Sequence, residues 1–210
     1  MPRFDAYRDT FPNARLTRSK GGVLEVALHT AGDTLAFNGY THEQFVDLFH
    51  AIASDADNRV VILTGSGSAF MESFRPEGFD FFTPRGYDKI YREGKNVLMN
   101  ILDIEVPLIA AVNGPVRLHS KYILLCDIVL ATPSTVFQDK PHFEFGIVPG
   151  DGVHLLWQEV IGTIRGPLVS QHHEHSKCIP KVRGNEAGLA TRCTYFCNRL
   201  FTAFRASTGN

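Results

Sequence analysis

Short apolar runs alternate along this chain with longer stretches in which apolar residues recur every three or four positions. Val23-Leu24-Glu25-Val26-Ala27-Leu28-His29 follows the Gly21-Gly22 turn and reads as a strand. From Thr41 to Ala56 the apolar positions Phe45, Leu48, Phe49 and Ile52 fall at helical spacing, and Thr41 with Gln44 makes a capping box at the start. Arg59 to Thr64 is a compact apolar run closed by Gly65-Ser66-Gly67, which marks a buried strand. A second helix is expected over Tyr87 to Leu102, with Ile90, Tyr91, Val97, Leu98, Ile101 and Leu102 on its apolar side. Leu108 to Val112 is another buried strand, stopped by Asn113-Gly114-Pro115. A short helix is expected to finish over Tyr122 to Cys126, followed by a strand from Asp127 to Ala131 and a helix from Gly152 to Ile161. Strands that alternate with helices require crossover connections, so the expected fold class is α/β. No internal repeat or low-complexity segment is visible.

The pattern changes near Gly166. Residues 167–186 show no usable periodicity, whereas Cys193, Phe196, Cys197, Leu200, Phe201 and Phe204 share one helical face, predicting an amphipathic helix over 190–206. The charge changes at the same place. Residues 167–210 carry Lys177, Lys181, Arg183, Arg192, Arg199 and Arg205 against Glu174 and Glu186, a balance of +4 in a chain whose net charge is -1. A core domain over 1–166 and an atypical tail over 167–210 are therefore expected.

Composition narrows the class. A length of 210 residues supports one domain with a substantial core, and 44% hydrophobic residues exclude an intrinsically disordered chain. A net charge near zero gives no reason to expect nucleic acid or an acidic membrane as partner. No apolar run approaches the roughly 18–20 residues that cross a bilayer. The first residues lack a secretory apolar core and carry Asp5 and Asp9, and Ser207-Thr208-Gly209-Asn210 is not a peroxisomal address. Cys126, Cys178, Cys193 and Cys197 have irregular spacing. A reducing, cytoplasmic setting is the expectation.

Three segments carry candidate chemistry. Thr64-Gly65-Ser66-Gly67-Ser68 follows a strand like a phosphate-binding turn, but it lacks both the third glycine of a dinucleotide fingerprint and the lysine of a P-loop. An ordinary strand-to-loop turn accounts for it. His172-His173-Glu174-His175 with the later cysteines offers metal ligands, but at no recognised zinc spacing; a solvated polar run is the expectation, with no metal and no cofactor. The third segment, Asp139 to Trp157, concentrates His142, His154, Asp139, Asp151 and Glu144 among glycines and prolines that fix backbone turns. Such a loop can hold a carboxylate on one nitrogen of an imidazole and leave the other to take a proton from water. A surface turn with incidental polar residues is the competing reading. His119, just past a buried strand, is either a donor to a substrate oxygen or a structural histidine.

Residues 15–166 resemble the crotonase (enoyl-CoA hydratase/isomerase) superfamily. The resemblance rests on Val60-Val-Ile-Leu-Thr-Gly65 leading into Ala69-Phe70, on Val106-Pro-Leu-Ile-Ala-Ala-Val-Asn-Gly114, on Cys126-Asp-Ile-Val-Leu-Ala131 and on Phe145-Gly-Ile-Val-Pro-Gly150. It implies a spiral of ββα units, usually trimeric, that stabilises an enolate in an oxyanion hole of backbone N–H groups. The hydratases place one catalytic glutamate at the end of a glycine-rich segment and another in a Pro-Glu pair. Here Pro115-Val-Arg-Leu-His-Ser-Lys-Tyr122 has neither glycine nor glutamate, and the pair is Pro141-His142. The first oxyanion loop is the bulky Met71-Glu-Ser-Phe-Arg75.

Phe137-Gln-Asp-Lys-Pro-His-Phe143 and Gly146-Ile-Val-Pro-Gly-Asp-Gly-Val-His154 are similar to the 6-oxocamphor hydrolase-like β-diketone hydrolases within that superfamily. This likeness implies a catalytic His142–Asp151 pair, with His119 on a substrate carbonyl. It implies substrate contacts at Phe37, which stands where that branch has a Trp, and at Phe79, with Phe74 of the bulky loop beside them. The implied reaction is retro-Claisen hydrolysis of a 1,3-diketone without cofactor. Lyase or isomerase chemistry on an acyl-CoA is the second reading. The resemblance ends at Arg165-Gly166, so a C-terminally truncated core is expected, and an inactive product or interaction protein is the third reading.

Overall fold

The computed structural model describes residues 3–132, 134–146 and 151–162. A short helix α1 (Phe4–Tyr7) precedes β1 (Ala14–Arg18), β2 (Val23–Leu28) and β3 (Ala36–Phe37), and helix α2 (Gly39–Ala53) follows. Next come β4 (Val60–Gly65), β5 (Ser73–Phe74) and α3 (Pro84–Leu102), then β6 (Leu108–Ala111) and α4 (Lys121–Leu124). β7 (Ile128–Leu130), α5 (Lys140–Glu144) and α6 (Val153–Ile161) complete the described elements. The boundary expected near Gly166 and the helix expected over 190–206 lie outside the described residues.

The main sheet has the order β1-β2-β4-β6-β7. β1 is antiparallel to β2, and every other pairing is parallel. The register aligns apolar side chains into rows. Leu24, Val61 and Leu108 form one row and Val26, Leu63 and Ala110 another, all buried. Each of the leucines and valines in these rows gains roughly 1.5–3 kcal/mol on leaving water. The opposite row, Glu25, Ile62, Ile109 and Ile128, is half-covered or exposed. The runs over β4 and β6 expected to be buried thus cover one face well and the other only in part.

A second, much shorter ladder runs across the first. β3 pairs with β5, and isolated bridges continue from Met71 to Val116 and from Val116 to Phe137, all parallel. Each turn of the chain therefore contributes a long strand, a short extended segment and a helix: β2, β3 and α2; β4, β5 and α3; β6, Val116 and α4; β7, Phe137 and α5. This is the spiral of ββα units, repeated in space although no repeat is visible in the residues.

Two expected helix starts are corrected. The capping box at Thr41 and Gln44 does not form; Asn38 is the cap, its side chain accepting from the Thr41 N–H at 2.9 Å. Gln44 instead accepts from the Asn13 N–H at 3.0 Å. The helix can begin earlier because Gly39 lets the backbone of Gly78 approach: a Cβ there would lie 2.2 Å from the Gly78 carbonyl carbon. α3 starts at Pro84 rather than Tyr87, with Thr83 capping the Gly86 N–H. On its expected apolar side Val97, Leu98 and Ile101 are buried, but Tyr91 is exposed.

Candidate active site

The spiral brings the same point of successive turns together. Where each short segment gives way to its helix, the chain places Phe37 and His42, then Phe74 and Phe79, then His119 and Lys121, then Asp139 and His142. Residues that are far apart in sequence thereby face one another.

His142 is 15% exposed and is gripped from both sides. Its Nδ1 lies 2.7 Å from Asp139 Oδ1, within hydrogen-bonding distance, and Asp139 is almost fully buried. Its Nε2 faces Asp151 Oδ2 at 3.5 Å. Burial works against a charge on this imidazole, but Asp139 and Asp151 outweigh it and hold the ring above its ordinary value. Asp151 thus lies beside His142, while the carboxylate bonded to the ring is Asp139.

Asp151 sits between α5 and α6, ahead of Gly152, whose φ of 88° turns the chain into the helix. α6 is anchored on α4 by Trp157, whose indole N–H donates to Ser120 Oγ at 3.0 Å within the core. That anchor brings Asp151 against His119, whose Nδ1 is 3.9 Å from Oδ2, and against Lys121, whose ammonium is hydrogen-bonded to the same oxygen. Burial raises the cost of the Asp151 charge, yet Lys121, His142 and His119 hold it well below the usual carboxylate range.

His119 has a φ of 48°, a left-handed conformation that costs an L-residue roughly 1–2 kcal/mol. The ring stacks on Tyr122 at 5.3 Å and lies 4.1 Å from the Phe37 ring. Burial and then the Lys121 charge push His119 well below its ordinary value, so the ring is neutral near pH 7. Among the described residues its Nδ1 has no hydrogen-bond partner. The Tyr122 hydroxyl has none either, and burial pushes that phenol up.

An aromatic wall completes the site. Phe37 is fully buried, 6.4 Å from Phe79, which stacks on Phe74 at 5.5 Å and on Phe81 at 5.1 Å. Phe145 lies 5.4 Å from Phe74. All six residues singled out from the sequence therefore fall in one neighbourhood. His42 is buried against Phe37 and Phe79, with Nδ1 2.9 Å from Glu93 Oε2. His42 and Lys121 carried no sequence signal, and Asp139 stood in the candidate segment without being distinguished from Asp151 as the carboxylate bonded to His142. A helical histidine and a lysine read as solvent-facing until the tertiary neighbours are known.

The Gly65–Ser68 turn is structural. Its Gly65 and Ser68 N–H groups donate to Asn113 and Thr34, and a Cβ at Gly67 would lie 2.1 Å from an Asp33 oxygen. His172–His175 lie outside the described residues. Among those described, no group of three His, Cys, Asp or Glu is arranged to hold a metal ion, and no helix is long and apolar enough to cross a membrane.

The sequence signature of the enoyl-CoA hydratase/isomerase family matches residues 18–171. The chain belongs to that family. Within this crotonase superfamily it is 51% identical to a β-diketone hydrolase of the cyanobacterium Anabaena sp. PCC 7120, solved bound to (S)-3-oxocyclohexyl acetic acid. That likeness has a TM-score of 0.76 and covers 81% of this chain and 67% of the other. A probable peroxisomal enoyl-CoA hydratase of Arabidopsis thaliana is 28% identical over 162 residues, 74% of this chain. A Mycobacterium paratuberculosis enoyl-CoA hydratase/isomerase, 24% identical with a TM-score of 0.65 over 76% of this chain and 64% of its own, shares the crotonase fold. The chain spans 58% of the length of the Arabidopsis relative.

Proposed function

We propose that this protein hydrolyses a carbon–carbon bond of a cyclic 1,3-diketone, with His142 as general base. The observation that carries the reading is the His142 imidazole, bonded to Asp139 through Nδ1 and turned with Nε2 toward Asp151 beside the His119 ring. Its likeness to the Anabaena β-diketone hydrolase supports the same reading. The keto acid bound there is what hydrolytic opening of a bridged bicyclic 1,3-diketone yields, so that substrate class is carried over here.

His142 takes a proton from water through Nε2, and the hydroxide adds to one ketone carbon. The two carboxylates flanking the ring stabilise the imidazolium as it forms. The tetrahedral intermediate collapses with cleavage of the bond to the central carbon. The second ketone leaves as an enolate, and neutral His119 donates an N–H to its oxygen. Return of the proton from His142 to carbon gives the keto acid. The aromatic wall of Phe37, Phe74 and Phe79 packs the ring and excludes water from the leaving carbon. Enoyl-CoA hydration is disfavoured because Pro115–Tyr122 carries no glutamate and His142 follows Pro141 where the hydratases have a Pro-Glu pair.

The test offers a bicyclic diketone and a short enoyl-CoA side by side to the full chain. Keto acid release by the parent and its loss in His142→Ala are expected. A His142→Ala protein that cleaves the diketone at the parent rate, or a parent that hydrates only the CoA thioester, overturns the proposal.

A further inference from the structure

The mechanism above gives Lys121 no task, yet its setting is unlike that of a surface lysine. The side chain is 1% exposed, and lysines buried to this degree are almost always paired. Its ammonium is hydrogen-bonded to Asp151 Oδ2, the oxygen that also lies 3.5 Å from His142 Nε2 and 3.9 Å from His119 Nδ1. One cation and two imidazoles converge on a single carboxylate oxygen.

We propose that Lys121 is a positioning residue that neutralises Asp151 and pins it between His142 and His119. The inference rests on His142 being the base and names what keeps it usable. His142 is faced by Asp139 from the segment before α5, by Asp151 from the start of α6 and by Lys121 from α4. Beyond His119 stands His42 of α2, paired with Glu93 of α3, to which Lys89 is also bridged. On α5 itself, Lys140 and Glu144 pair with each other at 3.2 Å.

Two ionised carboxylates against one imidazole, with no cation, favour the imidazolium as the resting state and remove the base near pH 7. Lys121 cancels one of them. The single negative charge left around the ring steadies the imidazolium during turnover without making it permanent. The same ammonium adds to burial in keeping His119 neutral, and therefore a hydrogen-bond donor rather than a second cation. A lysine tied to Asp151 also stops that carboxylate from swinging away from Nε2.

The experiment is an NMR titration of the His142 ring in the full-length protein, run beside the pH profile of diketone cleavage. In Lys121→Met the His142 titration moves up by about one to two pH units, the size expected of a unit charge several ångströms away in a partly screened site. The acid limb of kcat/KM moves by the same amount, and the lost rate returns at higher pH. Asp151→Asn, which keeps the cation, moves the titration down, and Lys121→Arg leaves it near the parent value. Should Lys121→Met not fold, it is made in the Asp151→Asn background, where no carboxylate is orphaned and the rise on removing the lysine is still expected. A folded Lys121→Met protein whose His142 titration does not move overturns the proposal, as does a loss of activity in it that is equal at every pH. A titration that rises in a protein with no diketone activity upholds the role of Lys121 and sinks the proposed reaction. An active parent with an unmoved titration does the reverse.

Discussion

Replacing Asp139 with Asn tests the grip on His142 with almost no change in volume. Asp139 is 2% exposed and its Oδ1 is 2.7 Å from His142 Nδ1, a charge-assisted hydrogen bond worth about 2 kcal/mol. An asparagine has two ways to sit there. With its amide oxygen on Nδ1, the ring keeps its tautomer and a neutral hydrogen bond and loses only the charge-assisted part, about 1.4 kcal/mol, which converts to roughly a tenfold loss of kcat/KM. With its NH2 on Nδ1, the imidazole must carry its proton on Nε2, where it cannot accept one from water, and the loss approaches about 10⁴-fold. The expected result is at least a roughly tenfold fall in kcat/KM. The acid limb also moves to lower pH, because one of the two carboxylates that raise His142 has lost its charge while Asp151 remains. The assay is keto acid release over a range of about pH 5 to 9, with His142 ring shifts followed by NMR. A folded Asp139→Asn protein with parental kcat/KM and an unmoved acid limb refutes the orientation argument.

Two further outcomes concern stability. His119 in the unfolded chain takes up a proton near pH 6.5, whereas burial holds the folded ring well below that value. Stability is therefore unpenalised above pH 6.5 and is lost as pH falls toward the folded value, while the stabilisation from His142, raised in the folded state, is fully present below pH 6.5 and is lost as pH rises through its folded value. His119→Asn, which suits left-handed backbone, should show a shallower loss of urea stability on acidification; a slope equal to the parent's argues against a buried neutral His119. At the far end of the fold, Asp55 accepts from the Tyr7 hydroxyl at 2.8 Å and pairs with Arg18 at 2.7 Å. Asp55→Ala strands both partners and should cost about 3 kcal/mol in urea unfolding; a cost below about 1 kcal/mol would show that the network does not hold β1 to α2.

The long parallel strands and the two long helices were legible because burying one face imposes a period on the residues. β1 was not, since Arg15 and Thr17 give it a polar outer face and Arg18 interrupts the apolar inner one. β3 and β5 are two residues each, too short for any period, yet their ends carry Phe37 and Phe74. His142 and Asp151 stood out by the composition of their segment and His119 by its place after a buried strand, and motif likeness gave the three distinct roles. Asp139 is bonded to His142 three residues on, a contact that needs the turn into α5 before it exists. Lys121 meets Asp151 only because Trp157 anchors α6 on Ser120, so the sequence of α4 alone carries no sign of it.

The left-handed backbone at His119 sets two selective pressures against each other. Glycine would relax the conformation and favour folding, but it would delete the imidazole that the proposed mechanism sets on the leaving enolate. A library screened for heat resistance would be drawn to this codon and would return proteins that fold better and turn over nothing. Position 119 therefore offers a marker for sorting relatives: a histidine kept in a place that prefers glycine signals a lineage still under selection for chemistry.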